Sequence, residues 1–378
     1  MAQTGALDGL LVVALEQAVA APYCSLRLAD AGARVIKIER PEGDLARHYD
    51  SAIEGESAAF HWLNRGKESV ILDLKHSDGA MALRRLLSKA DVFLHNLAPG
   101  AVDRLGFGPK VLRAEFPRLI SVAIAGYGSD TPMVKAKAYD MLIQAESGLC
   151  SMTGTPEVPS KTGVSVADLV AGMNAHALIL EALIARQKTG MGQDLEVTLF
   201  DGMADFMTHP LVLYEREGVV PGRHGLAHGA IYPYRTLTCL DGEILIAVQN
   251  AREWRRFCAD ILGLPDLADD PRFATNEARV RNRALLDRLI EPAFAVLSCA
   301  AAKRQLDDAQ IANAKRSEIA DLPQHPALRR MEVPLRDGGV LGLPRPAGRD
   351  MPIGRPAPAL GADTDRILNE FHAMTAEN

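Results

Sequence analysis

Short apolar runs separated by longer amphipathic stretches fill the first half of the chain. "LLVVALE" (10–16), "ARVIKIE" (33–39), "SVILDL" (69–74), "DVFLHN" (91–96) and "LISVAIA" (119–125) are rich in β-branched residues and too short for helices. They predict strands buried on both faces. Between them, stretches such as 80–90 repeat their apolar positions with a period near 3.6, so strand and helix alternate. That alternation predicts an α/β fold around a mostly parallel sheet. Ligands in such sheets bind beyond the carboxyl ends of the strands, which directs attention to Glu16 and Gln17, Arg40, Lys75, Asn96 and Gly126-Tyr127-Gly128.

The pattern changes after "ARQKTGMGQDLEVTLFDGM" (185–203), a tight turn leading into one more strand and helix. Residues 204–224 predict an irregular or helical connector. From about Gly225, "AIYPYRTLTCLDGEILIAVQN" predicts a hairpin turned by Asp241-Gly242, followed by helices containing "REWRRFCADIL" and "VRNRALLDRLIEPAF". The expected organisation is a large domain (1–203), a connector (204–224), a small domain (225–334) and a tail (335–378). The tail is rich in proline and glycine and ends in a short helix, "DTDRILNEFHAM". No internal repeat is present.

Composition narrows the function classes. With 378 residues, 48% hydrophobic and 24% charged, the chain has the make-up of a globular protein of about two domains. Its net charge of -6, from 42 basic and 48 acidic residues, offers no general attraction for nucleic acid or an anionic membrane. Five cysteines without C-x-x-C spacing argue against a disulfide framework or a thiolate metal site and predict thiols in a reducing compartment. The start "MAQTGALDGLLVVALEQ" lacks the form of a signal peptide, and no run reaches the ~18 apolar residues of a bilayer span. A cytoplasmic protein is expected. Neither a G-x-G-x-x-G after the first strand nor a G-x-x-x-x-G-K-[ST] occurs, which argues against nicotinamide and ATP sites of those types.

One carboxylate is conspicuous. In "TGVSVADLVAGMNAHALILEAL" (162–183), Asp168 falls where a small-residue loop becomes an apolar helix. Asp at a helix start commonly caps the unpaired backbone N–H groups. The other reading is a working carboxylate, with Gly163, Ala167, Ala171 and Gly172 leaving room for a substrate. One carboxylate cannot fill both roles at once.

Five stretches then occur in a telling order: "GARVIKIERPEGD", "NRGKESVILDLK", "DVFLHNLAPGAVDRLG", "VSVADLVAGM" and "TGMGQDLEVTLFDGM". Together, along nearly the whole chain, they resemble the class III CoA-transferases, the group of formyl-CoA transferase and carnitine CoA-transferase. The resemblance implies a Rossmann-like large domain completed by the C-terminal tail, a small α+β domain, and an interlocked homodimer. It places the covalent carrier at Asp168, and the coenzyme A contacts at Arg40, Lys75, Asn96, Arg104 and Lys137. The CoA thioester is then a substrate; no tightly bound cofactor and no metal is expected.

The family's racemases open the helix of "KAKAYDMLIQAESGL" with a His-Asp pair, where this chain has Tyr139-Asp140. Without that imidazole, two-base racemisation lacks one base. An α-methylacyl-CoA racemase on the same fold and a noncatalytic CoA-binding protein are therefore the rival readings. Tyr139 and Asp140 have two open roles, lining the acyl site or serving as a core tyrosine and a helix-start acid. Formyl-CoA transferase closes its site with a run of glycines; here the region reads "GRHGLAHGAIYPY", which implies a different acyl group. His224 and His228 in that loop are assigned to closing the site or holding a substrate carboxylate. Without nearby Cys or clustered acids they do not suggest a metal pair.

"VALEQAVAAPYC", "GDLARHYD", "WLNRGK" and "AVQNAREW" look most like the branch with mesaconyl-CoA C1–C4 CoA transferase and itaconate CoA-transferase. That implies a small, branched C4 or C5 dicarboxylic acid, whose second carboxylate needs a cationic or hydrogen-bonding partner. Gln17, Arg47, His48 and Arg65 are the candidates. Transfer between two acids and transfer within one acid remain equally open.

Overall fold

The computed structural model describes residues 5–350 and 353–376. Its strands are β1 (Leu11–Leu15), β2 (Arg34–Glu39), β3 (Glu68–Ile71), β4 (Val92–His95), β5 (Ile120–Ala125), β6 (Asp194–Thr198), β7 (Tyr234–Cys239), β8 (Gly242–Ala247), β9 (Ala312–Lys315), β10 (Arg330–Pro334) and β11 (Val340–Pro344). The α-helices up to the sixth strand are α1 (Ala20–Ala29), α2 (Ala58–Asn64), α3 (Ser77–Leu87), α4 (Ala101–Arg104), α5 (Pro109–Glu115), α6 (Asp140–Glu146), α7 (Leu149–Met152) and α8 (Val166–Thr189). Beyond it come α9 (Leu199–Phe206), α10 (Thr208–Glu217), α11 (Ala251–Arg256), α12 (Asn276–Arg281), α13 (Arg283–Ala295), α14 (Cys299–Asp308) and α15 (Thr364–Ala376). The chain divides into two compact units: one takes the residues up to 149, 162–209 and those from 329 onward, the other 150–161 and 210–328.

The five apolar runs of the first half are β1 to β5, and with β6 they form one all-parallel sheet in the order β3-β2-β1-β4-β5-β6. Every residue of β1 is buried, because helices cover both faces. Val12 and Ala14 face a core shared with α1 and α8, while Leu11, Val13 and Leu15 face a second core shared with α3. That second core also takes Ile367 and Phe371 of α15, so the last helix of the chain packs onto the first sheet. The strand order reverses between β1 and β4, the switch point beside which such sheets open a crevice.

Helix α8 is the longest element, 24 residues, and it is long and apolar enough to cross a membrane. Half of its apolar window is buried, with Ala167, Val170, Ala171, Ala175 and Ile179 in the first core. The buried half of its apolar surface packs on α1 and the sheet, while Met173 and Ile184 are exposed.

The smaller unit has its own core around Trp254, Phe257, Phe273 and Phe294 and an antiparallel sheet in the order β7-β8-β9. The expected hairpin is there with its turn one residue earlier than anticipated, at Leu240-Asp241; Gly242 already belongs to β8. The connector is helical up to Glu217, as α9 and α10, and irregular over 218–224. The antiparallel pair β10–β11 straddles the anticipated boundary at 334 between small domain and tail, where no strand was anticipated.

Candidate functional site

Helix α8 runs from the carboxyl edge of the sheet to its amino edge: near its end Arg186 pairs with Asp91, just before β4, at 2.8 Å. Helix α1 leaves the carboxyl end of β1, so the two helices run side by side in the same direction. They touch at Gly172, where an added Cβ would lie 2.6 Å from the Ala20 carbonyl oxygen. Asp168, one turn earlier on the same face, stands level with the segment Gln17–Val19 that opens α1.

The cap of α8 is supplied from elsewhere. Ser165 at the N-cap position makes no side-chain bond to the helix. The Asp140 carboxylate, at the start of α6, accepts instead from the N–H of Ala167 at 2.8 Å and of Asp168 at 3.4 Å. Its other oxygen accepts from Gln144 Nε2 at 2.7 Å. The Asp168 carboxylate itself has no hydrogen-bond partner among the described residues. Burial, and after it the Asp140 charge, push its pKa up to about 7. The same two carboxylates thus divide the roles left open for Asp168: Asp140 caps the helix, and Asp168 stays unengaged.

The segment Gln17–Val19 is fixed from two sides. Across the switch point, the Asn96 side chain accepts from Gln17 N at 2.9 Å and donates to Gln17 O at 2.8 Å. Ala18 adopts a left-handed φ of 63°, and its N–H donates to Asp44 Oδ1 at 3.0 Å. Asp44 is itself bound by Lys37 at 2.8 Å, and Lys67 holds Glu16 at 2.7 Å. Lys37, within β2, and Lys67, just before β3, are both inside the protein, their ammonium groups in a set of buried ion pairs with Glu16 and Asp44 beyond the carboxyl end of β1. Burial holds the Lys67 ammonium down to about 8, even though Glu16 opposes it.

Tyr49 joins the site without having been anticipated. Its phenol pKa is raised by burial and then by the charges of Asp44, Asp168 and Tyr139, which places those groups within electrostatic reach of it. The signal lay in "GDLARHYD", where attention fell on the two residues before it. Tyr139 is 70% exposed, so it is not a core tyrosine. His48 is exposed beside Tyr49.

Arg47 is placed differently from the expectation that it grips a substrate carboxylate. It is 1% exposed; its guanidinium makes a two-bond fork with Glu39 (2.9 and 2.8 Å), reaches Glu56 at 2.6 Å and stacks on Phe60 at 3.8 Å. Arg65 is likewise paired with Asp30 at 2.6 Å. Both are structural arginines with their charge already neutralised.

Arg40, Lys75, Arg104 and Lys137 are exposed along the carboxyl edge of the sheet. Lys75, Arg104 and Lys137 make no ion pair among the described residues; Arg40 reaches Glu42 only at 4.0 Å. A cavity of about 290 Å³ lies against β4 and β5, lined by His95, Leu97, Ser121, Tyr127 and Glu196. Burial holds the His95 imidazole down to about 4, so it is neutral there. His224 and His228 lie in the smaller unit. His228 stacks on Tyr234 with centroids 5.4 Å apart, and His224 lines a cavity of about 220 Å³ with Arg235, Arg283 and Asp287. Among the described residues no cluster of His, Cys, Asp and Glu has the make-up of a metal site.

The Asp168 carboxylate thus stands at the start of α8 beside the clamped segment Gln17–Val19, and exposed Arg and Lys side chains follow the ends of the strands. Residues 7–364 match the family model of CoA-transferase family III. The chain belongs to that family. It is 34% identical to an acetyl-CoA:oxalate CoA-transferase of Acetobacter aceti, over 99% of this chain and 97% of that one. It is also 34% identical to a succinyl-CoA:mesaconate CoA-transferase of Haloarcula hispanica, over 76% and 74% of the two chains. A solved structure of a CAIB/BAIF family protein from Brucella suis superposes with a TM-score of 0.85 at 35% identity, covering 98% and 100%. As a family III CoA-transferase the protein is an enzyme that exchanges CoA between an acyl-CoA and a carboxylic acid. Its thioester substrate carries phosphates that exposed Arg and Lys are suited to bind.

Proposed function

We infer that Asp168 is the covalent carrier of this CoA-transferase and that the acids it exchanges are small dicarboxylates of the branched C4 or C5 kind. The carrying observation is the Asp168 carboxylate: half-buried at the sheet's carboxyl edge, relieved of capping by Asp140 and without a hydrogen-bond partner among the described residues. A carboxylate oxygen of Asp168 attacks the thioester carbonyl carbon. The C–S bond breaks, CoA leaves as thiolate, and an acyl-aspartyl anhydride remains. The thiolate then attacks the aspartyl carbonyl and expels the first acid as its carboxylate. The incoming carboxylate attacks the resulting aspartyl-CoA thioester, and the released thiolate takes the new acyl group and frees Asp168. No proton is gained or lost over the cycle, so the nucleophile has only to be ionised.

Around this carrier, Arg40, Lys75, Arg104 and Lys137 are the proposed phosphate contacts of CoA, and Asn96 contributes by fixing Gln17 beside the carrier. Gln17, His48, Tyr49 and Tyr139 are the proposed lining of the acyl site. For the distal carboxylate the candidate on the larger unit is His48, exposed beside Tyr49. Oxalate and mesaconate in the names of the relatives support a dicarboxylate. An interlocked homodimer belongs to the same reading.

The test is exchange of CoA from succinyl-CoA to a panel of dicarboxylic acids, with products followed by mass. Asp168→Ala is expected to bind CoA as the wild type does and to lose at least about 10³-fold in turnover. Hydroxylamine added during wild-type turnover is expected to leave a hydroxamate on Asp168. Near-normal exchange by Asp168→Ala would remove the assignment. Deuterium entry at the α-carbon of a branched acyl-CoA without acid exchange would favour the racemase.

A further inference from the structure

Asp140 reaches the nucleophile's helix from a different element, 27 residues away in sequence from Ala167. Its two oxygens are both occupied, by the first-turn N–H groups of α8 and by Gln144. Gln144 is fully buried, and its Oε1 accepts from Thr162 N at 2.9 Å, so the loop that delivers α8 is tied to the same point. The arrangement puts a fixed negative charge at the helix end that carries Asp168, while taking up the N–H groups to which that carboxylate would otherwise fold back.

We propose that Asp140 is a positioning residue for the transfer reaction: it holds the first turn of α8 and, as a like charge at the same helix end, sets the pH range in which Asp168 is ionised. The proposal rests on Asp168 being the carrier. Asp140, at the start of α6, acts directly on Asp168, and Tyr49, on the segment after β2, lies within electrostatic reach of Asp168, Tyr139 and Asp44. The first turn of α1 brings Ala20, Ala21, Pro22 and Tyr23, whose ring lies against Gly172, one turn beyond Asp168. Helix α9 meets α8 through Gly202, against Val170 and Asn174, with Asp201 turned outward to solvent. Among the described residues Asp140 is the charge that raises the Asp168 carboxyl, while Asp44 is neutralised by Lys37 at 2.8 Å.

The direction of the effect follows. Burial and a like charge both disfavour the carboxylate form, so Asp168 stays protonated and inert below its raised pKa, and turnover climbs as pH rises through about 7. Removing the Asp140 charge leaves only burial, and the climb moves to lower pH. Asp140→Asn keeps an oxygen for the Ala167 N–H while removing the charge; Asp140→Ser is a second uncharged variant should the amide clash with Gln144. Asp140→Glu restores the charge.

The experiment measures kcat/KM against pH for the wild type and the three variants with succinyl-CoA and a dicarboxylic acid. In parallel, the Asp168 carboxyl is titrated by carbon-13 NMR, its resonance identified by its loss in Asp168→Asn. The expected result is an acid limb lowered by about one unit in Asp140→Asn or Asp140→Ser and returned by Asp140→Glu, with the NMR titration moving in step. A limb and a titration unmoved in folded uncharged variants, with Asp168→Ala inactive, would overturn the role of Asp140 alone. Should Asp168→Ala remain active, the carrier assignment fails instead, and the NMR titration still decides whether Asp140 governs that carboxyl.

Discussion

The Arg47 guanidinium sits between Glu39 and Glu56 with Phe60 beneath it, and its truncation would strip the buried Glu39 carboxylate of its fork, while Glu56 keeps Arg336 at 2.6 Å. Arg47→Ala is therefore expected to lower stability by about 3–5 kcal/mol, since breaking a buried pair strands its partner. Thermal or urea unfolding measures that loss. The folded fraction should keep the wild-type ratio of activity on dicarboxylic and monocarboxylic acids; a selective loss on dicarboxylates would return Arg47 to the substrate. A sequence shows that an arginine follows a strand, but not whether a carboxylate from a neighbouring turn has already claimed it. Asp168 was legible as a helix-start acid because its signal is local. Its release from capping was not, because the cap comes from Asp140, beyond any window of neighbouring residues.

Helices α1 and α8 approach so closely at Gly172 that a methyl group there would fall 2.6 Å from the Ala20 carbonyl oxygen. Gly172→Ala must push the helices apart, at about 1–3 kcal/mol for overpacking. On the proposed role of Asp168, one turn away, kcat is expected to fall along with the melting temperature, while CoA affinity, which the same proposal assigns to the sheet edge, stays near normal. An unchanged kcat would mean that the α1–α8 spacing does not position the carrier. Strands β1 to β5 were legible because burial on both faces writes itself as uninterrupted apolar runs. Strands β9 and β10–β11 were not: "ANAK" has no apolar run, and the β10–β11 pair is punctuated by Pro334 and Pro344 in a stretch whose composition suggests loop. The hairpin turn shifted by one residue because Gly242, with φ 152°, extends into β8 and leaves Leu240 and Asp241 to make the turn.

Across the molecule as a whole, charge is arranged in two tiers. Lys37, Lys67, Glu16 and Asp44 are closed off from solvent beneath the carboxyl edge, whereas Lys75, Arg104 and Lys137 stand on it in the open. Ionic strength acts on these tiers unequally, because mobile ions screen only what they can surround, over a length that shrinks from roughly 10 Å at 0.1 M to about 3 Å at 1 M. Raising potassium chloride is expected to weaken CoA binding several-fold while the melting temperature holds, which calorimetric titration and thermal melts together would check. Parallel decline of both would mean that the interior pairs are open to electrolyte. In a brine the enzyme would therefore be intact but starved of its thioester, a failure that dilution reverses at once and refolding has no part in.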